Sequence, residues 1–338
     1  MDPVSRRAHD RPPTIRDVAR RAGVGVGTVS RVLNQSPLVS VDRRDRVQQA
    51  IDELGYRRSS RARNLSLGRS QAVGVVAPFF TTPSVVERLR GVVEALTGRG
   101  YDLLLFDVET ITQRADAFRH FARRDRLDGL LVLSLPILED EMTALRAEEL
   151  PLVLVDARRP GLAQVVIDDE HGGELATQHL LERGHRSIAF LGDLPSPLGF
   201  TASEDRRRGY GRALRRAGIE PERALEWRAP HGRGHARQLA EGMLARRRRP
   251  TAVFAASDVQ AVGVLEAAET CGLRVPEDLA VIGFDDIEIA AVAGLSTVRQ
   301  PLRESGRLGA AILLAEIDGV ERRSEELPPL VVVERRTS

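Results

Sequence analysis

Cysteine, lysine and long apolar runs are rare or missing in this 338-residue sequence. The single cysteine, Cys271, cannot form an internal disulfide framework or a cysteine-based zinc site, which favours a reducing, cytoplasmic compartment. No apolar run approaches the roughly 18 residues that a membrane helix needs, so we expect no membrane span. The Arg-rich residues 1–13 contain no apolar segment, so we expect no secretory signal. Because lysine is absent, all of the Lys/Arg positive charge comes from the guanidinium groups of arginine.

Charge is distributed unevenly, although the formal net charge is only +2. Residues 1–70 carry 15 Arg against 7 acidic residues, whereas residues 71–338 carry 35 Arg against 41 acidic residues. A small basic head on a larger acidic body is typical of a polyanion-binding module joined to a second functional unit. A solvated basic tail would give the same distribution, so charge alone does not decide between them.

Order is predicted to begin at Thr14, after a disordered lead-in over residues 1–13. Thr14-Ile15-Arg16-Asp17 is a capping-box pattern that starts a two-turn helix. Gly23 is predicted to end this helix because glycine adopts the left-handed conformation without strain. A second short helix should bury its apolar residues, which are Val29, Val32 and Leu33.

A third helix is predicted over residues 41–54, with Ser40 as its N-cap and Gly55 as its end. Residues 15–34 have the layout of a DNA-binding helix-turn-helix, whose second helix lies in the major groove. An ordinary helical hairpin has the same spacing, so layout alone leaves both alternatives open.

Four segments of the head are distinctive: Thr14-Ile15-Arg16-Asp17-Val18-Ala19, Ala22-Gly23-Val24, Thr28-Val29-Ser30-Arg31-Val32-Leu33-Asn34 and Glu53-Leu54-Gly55-Tyr56. Together they resemble the headpiece of the lactose-repressor/galactose-repressor (LacI/GalR) family. The glycines of residues 23–28 do not form a phosphate-binding loop, because no strand precedes them and their spacing is not G-x-G-x-x-G. The resemblance implies a headpiece over residues 14–58, a hinge over residues 59–70 and an effector-binding and dimerisation core over residues 71–338.

The resemblance also implies which head residues contact operator DNA. Arg31 can pair with guanine, Val26 can touch a thymine methyl group, and Gly27 has no side chain to read a base. Gly25 occupies the position of a Ser cap in the family, so it cannot contact phosphate through a side chain. The remaining expected phosphate contacts or supporting residues are Thr14, Thr28, Ser30, Asn34 and Tyr56.

The hinge is polar and basic, and by composition alone it is a linker. The resemblance implies instead a hinge helix that folds on operator DNA, with Leu65 as a minor-groove wedge and with Ala62 and Arg63 beside it. Relatives have Pro-Asn where this chain has Arg58-Ser59, and a plain flexible tether remains the alternative.

The body is predicted to be α/β, with two lobes built on parallel sheets that are covered on both faces, because short apolar runs alternate with amphipathic helices. Predicted strands are 72–77, 103–106, 129–133, 152–155, 165–167, 187–191, 252–255, 279–282 and 330–333, and predicted helices are 85–99, 113–124, 172–183, 206–217, 234–245, 258–271 and 303–317. The resemblance implies a core like that of periplasmic sugar-binding proteins, with three crossings between lobes, near Asp168, Gln300 and Glu325. The N-lobe then takes about 71–168 and 301–325, and the C-lobe takes about 169–299 and 326–338.

Polar residues at predicted strand ends are candidate effector contacts, because ligands bind outside the carboxyl ends of parallel strands. Arg206 and Asp285 match effector-contacting positions of the family, and Asp156 ends a strand of the other lobe. Asp258 is also a candidate, although a helix N-cap is its alternative role. Phe79 and Phe80 are candidates for an apolar wall. Asp168-Asp169 is expected to cap the helix that follows it.

These features predict a sequence-specific transcription regulator, a repressor that binds a near-palindromic operator as a homodimer and responds to a sugar-like effector between its lobes. We expect no catalytic residues, cofactor or metal, because hydrolase and metal-ligand motifs are absent from the sequence. The expected location is the bacterial cytoplasm, on the nucleoid. The alternatives are an architectural DNA-binding protein that ignores small molecules and a stand-alone sugar-binding protein.

Overall fold

The computed structural model describes residues 13–34, 36–56, 69–121, 123–320 and 327–338. The chain divides into two compact units, residues 1–70 and residues 71–338. Among the described residues, no helix is long and apolar enough to cross a membrane.

The described residues of the first unit form three helices, α1 (Ile15–Ala22), α2 (Val26–Leu33) and α3 (Val41–Leu54). The Asp17 carboxylate accepts hydrogen bonds from the backbone N–H and the hydroxyl of Thr14, which starts α1. Gly23 and Gly55 end α1 and α3 with φ of 65° and 61°, in the left-handed region that favours glycine. The apolar faces of the helices meet in a small core that includes Val18, Ala22, Val29, Val32, Val47 and Ala50.

The N-lobe of the second unit is built on a five-stranded parallel sheet with the order β2-β1-β3-β4-β5. Its strands are β1 (Ala72–Ala77), β2 (Asp102–Asp107), β3 (Gly129–Leu133), β4 (Leu152–Val155) and β5 (Ala163–Val165). Its helices are α4 (Pro83–Leu96), α5 (Ile111–Phe121), α6 (Glu139–Ala147) and α12 (Leu302–Ile317).

Both faces of this sheet are covered, because alternate residues of β1 pack on opposite sides. Val76 belongs to one apolar cluster, whereas Val73 and Val75 belong to the other. On the second side, Gly91 of α4 and Gly306 of α12 let the two helix backbones touch, since an added Cβ would overlap the backbone of Arg303 or Arg88.

The C-lobe is built on a six-stranded sheet with the order β11-β10-β9-β8-β6-β7, which is parallel except for β11 against β10. Its strands are β6 (Ile188–Asp193), β7 (Glu226–Ala229), β8 (Ala252–Ala255), β9 (Ala280–Asp285), β10 (Ser296–Arg299) and β11 (Val331–Val333). Its helices are α7 (Asp169–Glu182), α8 (Ala202–Arg216), α9 (Arg233–Leu244), α10 (Asp258–Thr270) and α11 (Glu288–Ala293), with a 3-10 turn at Arg223–Leu225.

The predicted class, a helical head followed by two α/β lobes, is confirmed, and most predicted elements are present with shifted ends. Among the helices and strands of the described residues, β7, β10, α6 and α11 were not predicted. The chain passes from the first sheet to the second between β5 and α7, and returns after β10 at Gln300-Pro301. The expected third crossing near Glu325 falls in residues 321–326, outside the described residues.

Candidate functional site

Helix α2 presents a solvent-facing surface suited to reading DNA. Val29 and Val32 are buried in the head, whereas Val26 is 42% exposed and Gly27 and Arg31 are also exposed. Thr28 and Ser30 are half-buried at the margin of this surface. Within the described residues, the guanidinium of Arg31 makes no hydrogen bond or ion pair, so its five N–H donors remain available for a base edge or phosphate.

The other predicted DNA contacts have different surroundings. Thr14 and Gly25 are the N-caps of α1 and α2, and Asn34 is the exposed C-cap of α2. Tyr56 is only 8% exposed and packs in the core of the head, which gives it a supporting role there and leaves its ring little surface for a phosphate contact. Ala62, Arg63 and Leu65 lie outside the described residues.

A cleft of about 370 Å³ lies between the two lobes of the second unit, and residues that follow strands of both sheets line it. Phe79, Ser134 and Asp156 follow β1, β3 and β4, while Ser257 follows β8 and Asp285 ends β9. The carboxyl ends of the strands therefore converge on one space, as predicted for a body built on parallel sheets.

Four of these lining residues adopt positive φ although none is glycine. The angles are 46° at Phe79, 51° at Ser134, 59° at Asp156 and 118° at Asp285. Such conformations cost about 1–3 kcal/mol each and tend to cluster where a site requires them. Their coincidence with the cleft marks this space as the candidate binding site of the body.

Arg88 is the central charge of the N-lobe side. Its side chain is 3% exposed, and its Nη2 donates to Asp156 Oδ2 at 2.9 Å. The hydroxyl of Ser134 donates to the same Asp156 oxygen at 2.9 Å. Asp156 was predicted at this site, whereas Arg88 was not, because an Arg within an amphipathic helix is normally a solvated residue.

Arg206 is the central charge of the C-lobe side. It projects from α8 with its side chain 8% exposed, and its Nε donates to Asp169 Oδ1 at 2.8 Å. Its Nη1 donates to the carbonyl of Ala256 at 2.6 Å and lies 3.9 Å from Asp285 Oδ1. The guanidinium also stacks on Phe284, with 3.8 Å from its central carbon to the ring centre.

Gln300 connects the two charged groups at the second crossing between the lobes. Its side-chain oxygen accepts from Arg88 Nη2 at 3.4 Å, and its side-chain nitrogen donates to Asp285 Oδ1. A continuous polar network therefore runs from Asp156 of the N-lobe to Asp169 of the C-lobe.

Two carboxyl groups of this network, those of Asp169 and Asp285, are buried where their charged form is disfavoured. Burial raises the pKa of Asp169 to about 7, against the lowering influence of Arg206. Burial also raises the pKa of Asp285, although Arg206 and Arg88 lower it. Two buried guanidinium groups thus face three buried or nearly buried carboxyl groups, so the network favours a partner that donates hydrogen bonds.

Two predicted contacts lie elsewhere. Asp258 is fully buried away from the cleft, where its carboxylate accepts from the backbone N–H of Ile287 at 3.0 Å and the hydroxyl of Thr297 at 2.6 Å. It is also not the N-cap, since Ser257 takes that position in α10. Phe80 is 37% exposed and lines an outer groove. Of the two Phe residues that were predicted to form the cleft wall, Phe79 alone lines the cleft.

Three further cleft residues, Asp169, His231 and Phe200, were not among the predicted effector contacts. Asp168 alone caps α7, by accepting from His171 N at 3.0 Å, while Asp169 turns to Arg206. His231 lines the cleft, in the loop after β7, and its Nδ1 lies 3.1 Å from Asp193 Oδ1. Its pKa is raised: burial lowers it, but the hydrogen bond and charge of Asp193 outweigh this effect. Phe200 lines the cleft edge-on to Phe79, with ring centres 6.3 Å apart.

Comparison with known proteins matches both units of the chain. Residues 14–59 match the family "Bacterial regulatory proteins, lacI family", and residues 177–338 match "Periplasmic binding protein-like domain". The chain is 34% identical over 326 residues to the ribose operon repressor of Escherichia coli strain K12, covering 94% of this chain and 98% of that protein. It is 33% identical over 334 residues to the transcriptional repressor PurR of Edwardsiella ictaluri, covering 96% of each.

Solved structures of regulators match over almost the whole chain. The lac repressor dimer bound to operator and the anti-inducer ONPF aligns with a TM-score of 0.84 and 27% identity, over 97% of this chain and 99% of that one. A complex of the transcriptional regulator CelR with cellobiose aligns with a TM-score of 0.71 and 32% identity, over 96% of this chain and all of that one.

Proposed function

Because this chain belongs to the lacI family of bacterial regulatory proteins, we propose that it is a repressor that binds a near-palindromic operator as a homodimer. A hydroxyl-rich effector that enters the cleft between the lobes would raise or lower the affinity of the repressor for that operator. The observation that carries this proposal is the polar network across the cleft. A ligand that binds between Arg88 and Asp156 on one side and Arg206 and Asp285 on the other contacts both lobes at once.

The charges of the cleft favour a neutral, polyhydroxylated effector. Its charged lining residues are three Arg and five Asp: Arg88, Arg158, Arg206, Asp156, Asp169, Asp193, Asp205 and Asp285. Carboxyl groups accept hydrogen bonds from vicinal hydroxyl groups, whereas an added phosphate would meet more carboxyl groups than guanidinium groups. The aromatic rings of Phe79 and Phe200 offer an apolar surface for a sugar ring. The cellobiose complex of a regulator with a similar structure supports this ligand class.

An outer apolar groove supports the homodimer. It is lined by Phe80, Val86, Leu89, Val93 and Leu105 of the N-lobe, and a neighbouring groove adds Val259, Val262, Ile289 and Val292 of the C-lobe. Val292 is 72% exposed and Val93 is 49% exposed, which is unfavourable for a monomer in water. We assign this face to a second copy of the chain, and the structurally similar lac repressor is a dimer when it is bound to operator. Val292→Asp should convert a dimer into a monomer by light scattering, while Ile111→Asp, an exposed site on α5, should not.

On the DNA side, we assign base reading to α2. Arg31 supplies the base-specific pair, Val26 supplies apolar contact, and Gly27 lets the backbone approach the groove edge. A dimer presents two such helices, which accounts for a near-palindromic operator. The protein would therefore act in the cytoplasm on chromosomal DNA, without a catalytic step.

The test is selection of operator sequences from random DNA, followed by titration of the selected duplex with ligands at fixed salt. D-ribose and cellobiose would be compared with D-ribose 5-phosphate, which carries the added charge. A palindrome whose binding changes with a neutral sugar supports the whole proposal. A response to the phosphate ester alone would refute the assigned effector class. A palindrome that no ligand in a broad metabolite panel affects would favour an architectural protein, and failure to select any DNA would refute the proposal altogether.

A further inference from the structure

A loop of the C-lobe is anchored in the core of the N-lobe. Residues 194–201, which we call the strap, join β6 to α8, and both of these elements belong to the C-lobe. Leu198, in the middle of the strap, is nevertheless 2% exposed and lies in the N-lobe cluster that contains Phe121, Leu130 and Met142. The strap therefore makes a noncovalent link between the lobes, in addition to the chain crossings.

A buried ion pair of the N-lobe holds the backbone of the strap. Arg114 of α5 donates from Nε and Nη2 to the two oxygens of Glu141, each at 2.7 Å. Its Nη1 donates to the carbonyl of Leu198 at 2.7 Å, and its Nη2 also donates to the carbonyl of Pro136. Arg114 and Glu141 side chains are both almost fully buried. Burying such a pair is costly unless its remaining donors are satisfied, and here one of those donors is satisfied by the strap.

The strap has a defined local shape. The Ser196 hydroxyl accepts from the backbone N–H of Leu198 at 3.1 Å, and the Ser196 carbonyl accepts from Gly199 N at 3.0 Å. Gly199 has a φ of 82°, and a Cβ there would lie 3.2 Å from Pro136 Cγ. The turn thus brings the strap backbone close to the N-lobe at the point where Leu198 enters the core.

The strap also forms part of the cleft. Gly199, Phe200 and Thr201 are lining residues, and the Phe200 ring is held edge-on to Phe79 of the N-lobe. Phe200 follows Leu198 by two residues, so its position in the cleft depends on the anchoring of Leu198 by the N-lobe core and Arg114. If the strap left the N-lobe, the cleft would open on this side and lose one aromatic wall.

We propose that the strap is the gate of the effector cleft: docking of Leu198 and its carbonyl on the N-lobe closes the cleft and positions Phe200 as a specificity-determining side chain. The ligand role of Phe200 rests on the proposed function, whereas docking and access can be measured without effector or DNA. Arg114 and Glu141 are positioning residues that act through the strap.

The first measurement is hydrogen exchange of the ligand-free, full-length protein. Leu198→Ala removes the anchor, and Leu194→Ala is the matched control, since Leu194 lies in the same strap and is 50% exposed. Leu198→Ala should accelerate exchange of the two hydrogen-bonded strap amides, at positions 198 and 199, at least about tenfold, because truncating a buried Leu costs several RT. Leu194→Ala should leave these amides within about twofold of wild type. Equal rates of strap amide exchange in wild type and in both variants would show that Leu198 does not anchor the strap, which would overturn the proposal.

The second measurement is access to the cleft. Ser84 lines the cleft on α4, so Ser84→Cys in a Cys271→Ser background places one thiol there. Leu198→Ala should raise the rate of modification by N-ethylmaleimide about tenfold, and Leu194→Ala should not. An unchanged rate together with faster strap exchange would show that the strap moves without gating the cleft, which overturns the proposal.

A paired replacement tests the anchor without creating a lone buried charge. Arg114→Met with Glu141→Leu should accelerate strap exchange and thiol modification in the same way as Leu198→Ala. The control is Arg119→Met, on the exposed side of the same helix, where Arg119 pairs with Asp116. Normal circular dichroism and unchanged exchange in β3 and β8 would show that each variant is folded. Wild-type strap protection in the double variant would refute the role of Arg114.

Discussion

Replacing Arg206 with Met removes one positive charge from the most buried part of the cleft while keeping much of the apolar stem. The variant loses the hydrogen bonds to Asp169 and to the Ala256 carbonyl and the stacking on Phe284. It also leaves Asp169 and Asp285 without their nearest cation. Breaking a buried pair by removing one partner costs about 3–5 kcal/mol when the remaining group stays charged. We therefore expect a loss of about that size in the free energy of unfolding above neutral pH.

The loss should depend on pH, with a sign set by the carboxyl groups. The pKa of Asp169 is about 7 in the folded protein against an ordinary 3.8, so this group stabilises the fold at low pH and loses that contribution as the pH rises through 7. Arg206 lowers the pKa of both Asp169 and Asp285, so its removal raises both pKa values. The free energy of unfolding of the variant therefore continues to fall as the pH rises above 7. At pH 5.5 Asp169 carries its proton in both the wild type and the variant, so its charge does not add to the difference. The expected loss there is smaller, about 1–3 kcal/mol, mainly from the missing hydrogen bonds.

Urea unfolding followed by circular dichroism at pH 5.5, 7 and 8.5 measures this difference. Arg208→Met is the control, because Arg208 lies on the same helix, is 49% exposed and pairs with Asp205. It should cost less than about 1 kcal/mol at every pH. The reasoning is refuted if Arg206→Met costs no more than Arg208→Met, or if its cost is the same at pH 5.5 and 8.5.

Three further predictions follow from the head, the hinge and the C-lobe. Arg31→Ala should relax base preference at one position of each half-site and cost about 1–3 kcal/mol in operator affinity, and a uniform loss over all sequences in competition assays would make Arg31 a phosphate contact instead. Leu65→Ala should abolish DNA bending in a phasing assay and leave effector binding intact, and unchanged bending would contradict the wedge assignment. Asp258→Ala should cost about 2–5 kcal/mol in urea unfolding, because the Ile287 N–H and the Thr297 hydroxyl lose their acceptor, and a loss under 1 kcal/mol would contradict this structural role.

The head was largely predictable because its signals are local. Thr14, Gly23, Ser40 and Gly55 mark helix ends through interactions within a few residues, and the structure has helix ends at each of them. Burial of Val29 and Val32 follows from helical periodicity for the same reason. Tyr56 differs, because its burial depends on packing of the third helix against the rest of the head, which no short motif encodes.

The cleft was only partly predictable because its decisive contacts join distant residues. Asp156 and Asp285 could be placed by their positions at strand ends, which is a property of the local pattern. Arg88 and Gln300 are 212 positions apart, and nothing near Arg88 in the sequence distinguishes it from a surface residue. Strand β10 was missed because Ser296–Arg299 has one apolar residue, Val298, and its pairing with β9 and β11 defines it.

The arrangement of the cleft also limits how an effector can act. Gln300 and the strap connect the lobes through contacts of the protein itself, so a ligand shifts the lobe equilibrium only through a difference in affinity between arrangements. A ligand hydroxyl group that only replaces the hydrogen bond from Gln300 to Asp285 leaves the difference in ligand affinity between the arrangements near zero. A ligand group that adds one hydrogen bond to a charged side chain in only one arrangement of the lobes contributes about 1.5–3 kcal/mol to that difference. Coupling between effector and operator is typically about 1–3 kcal/mol and is the same in both directions. One hydroxyl group, correctly placed between Arg88 and Asp285, is therefore enough to separate an effector from a related sugar that binds without consequence.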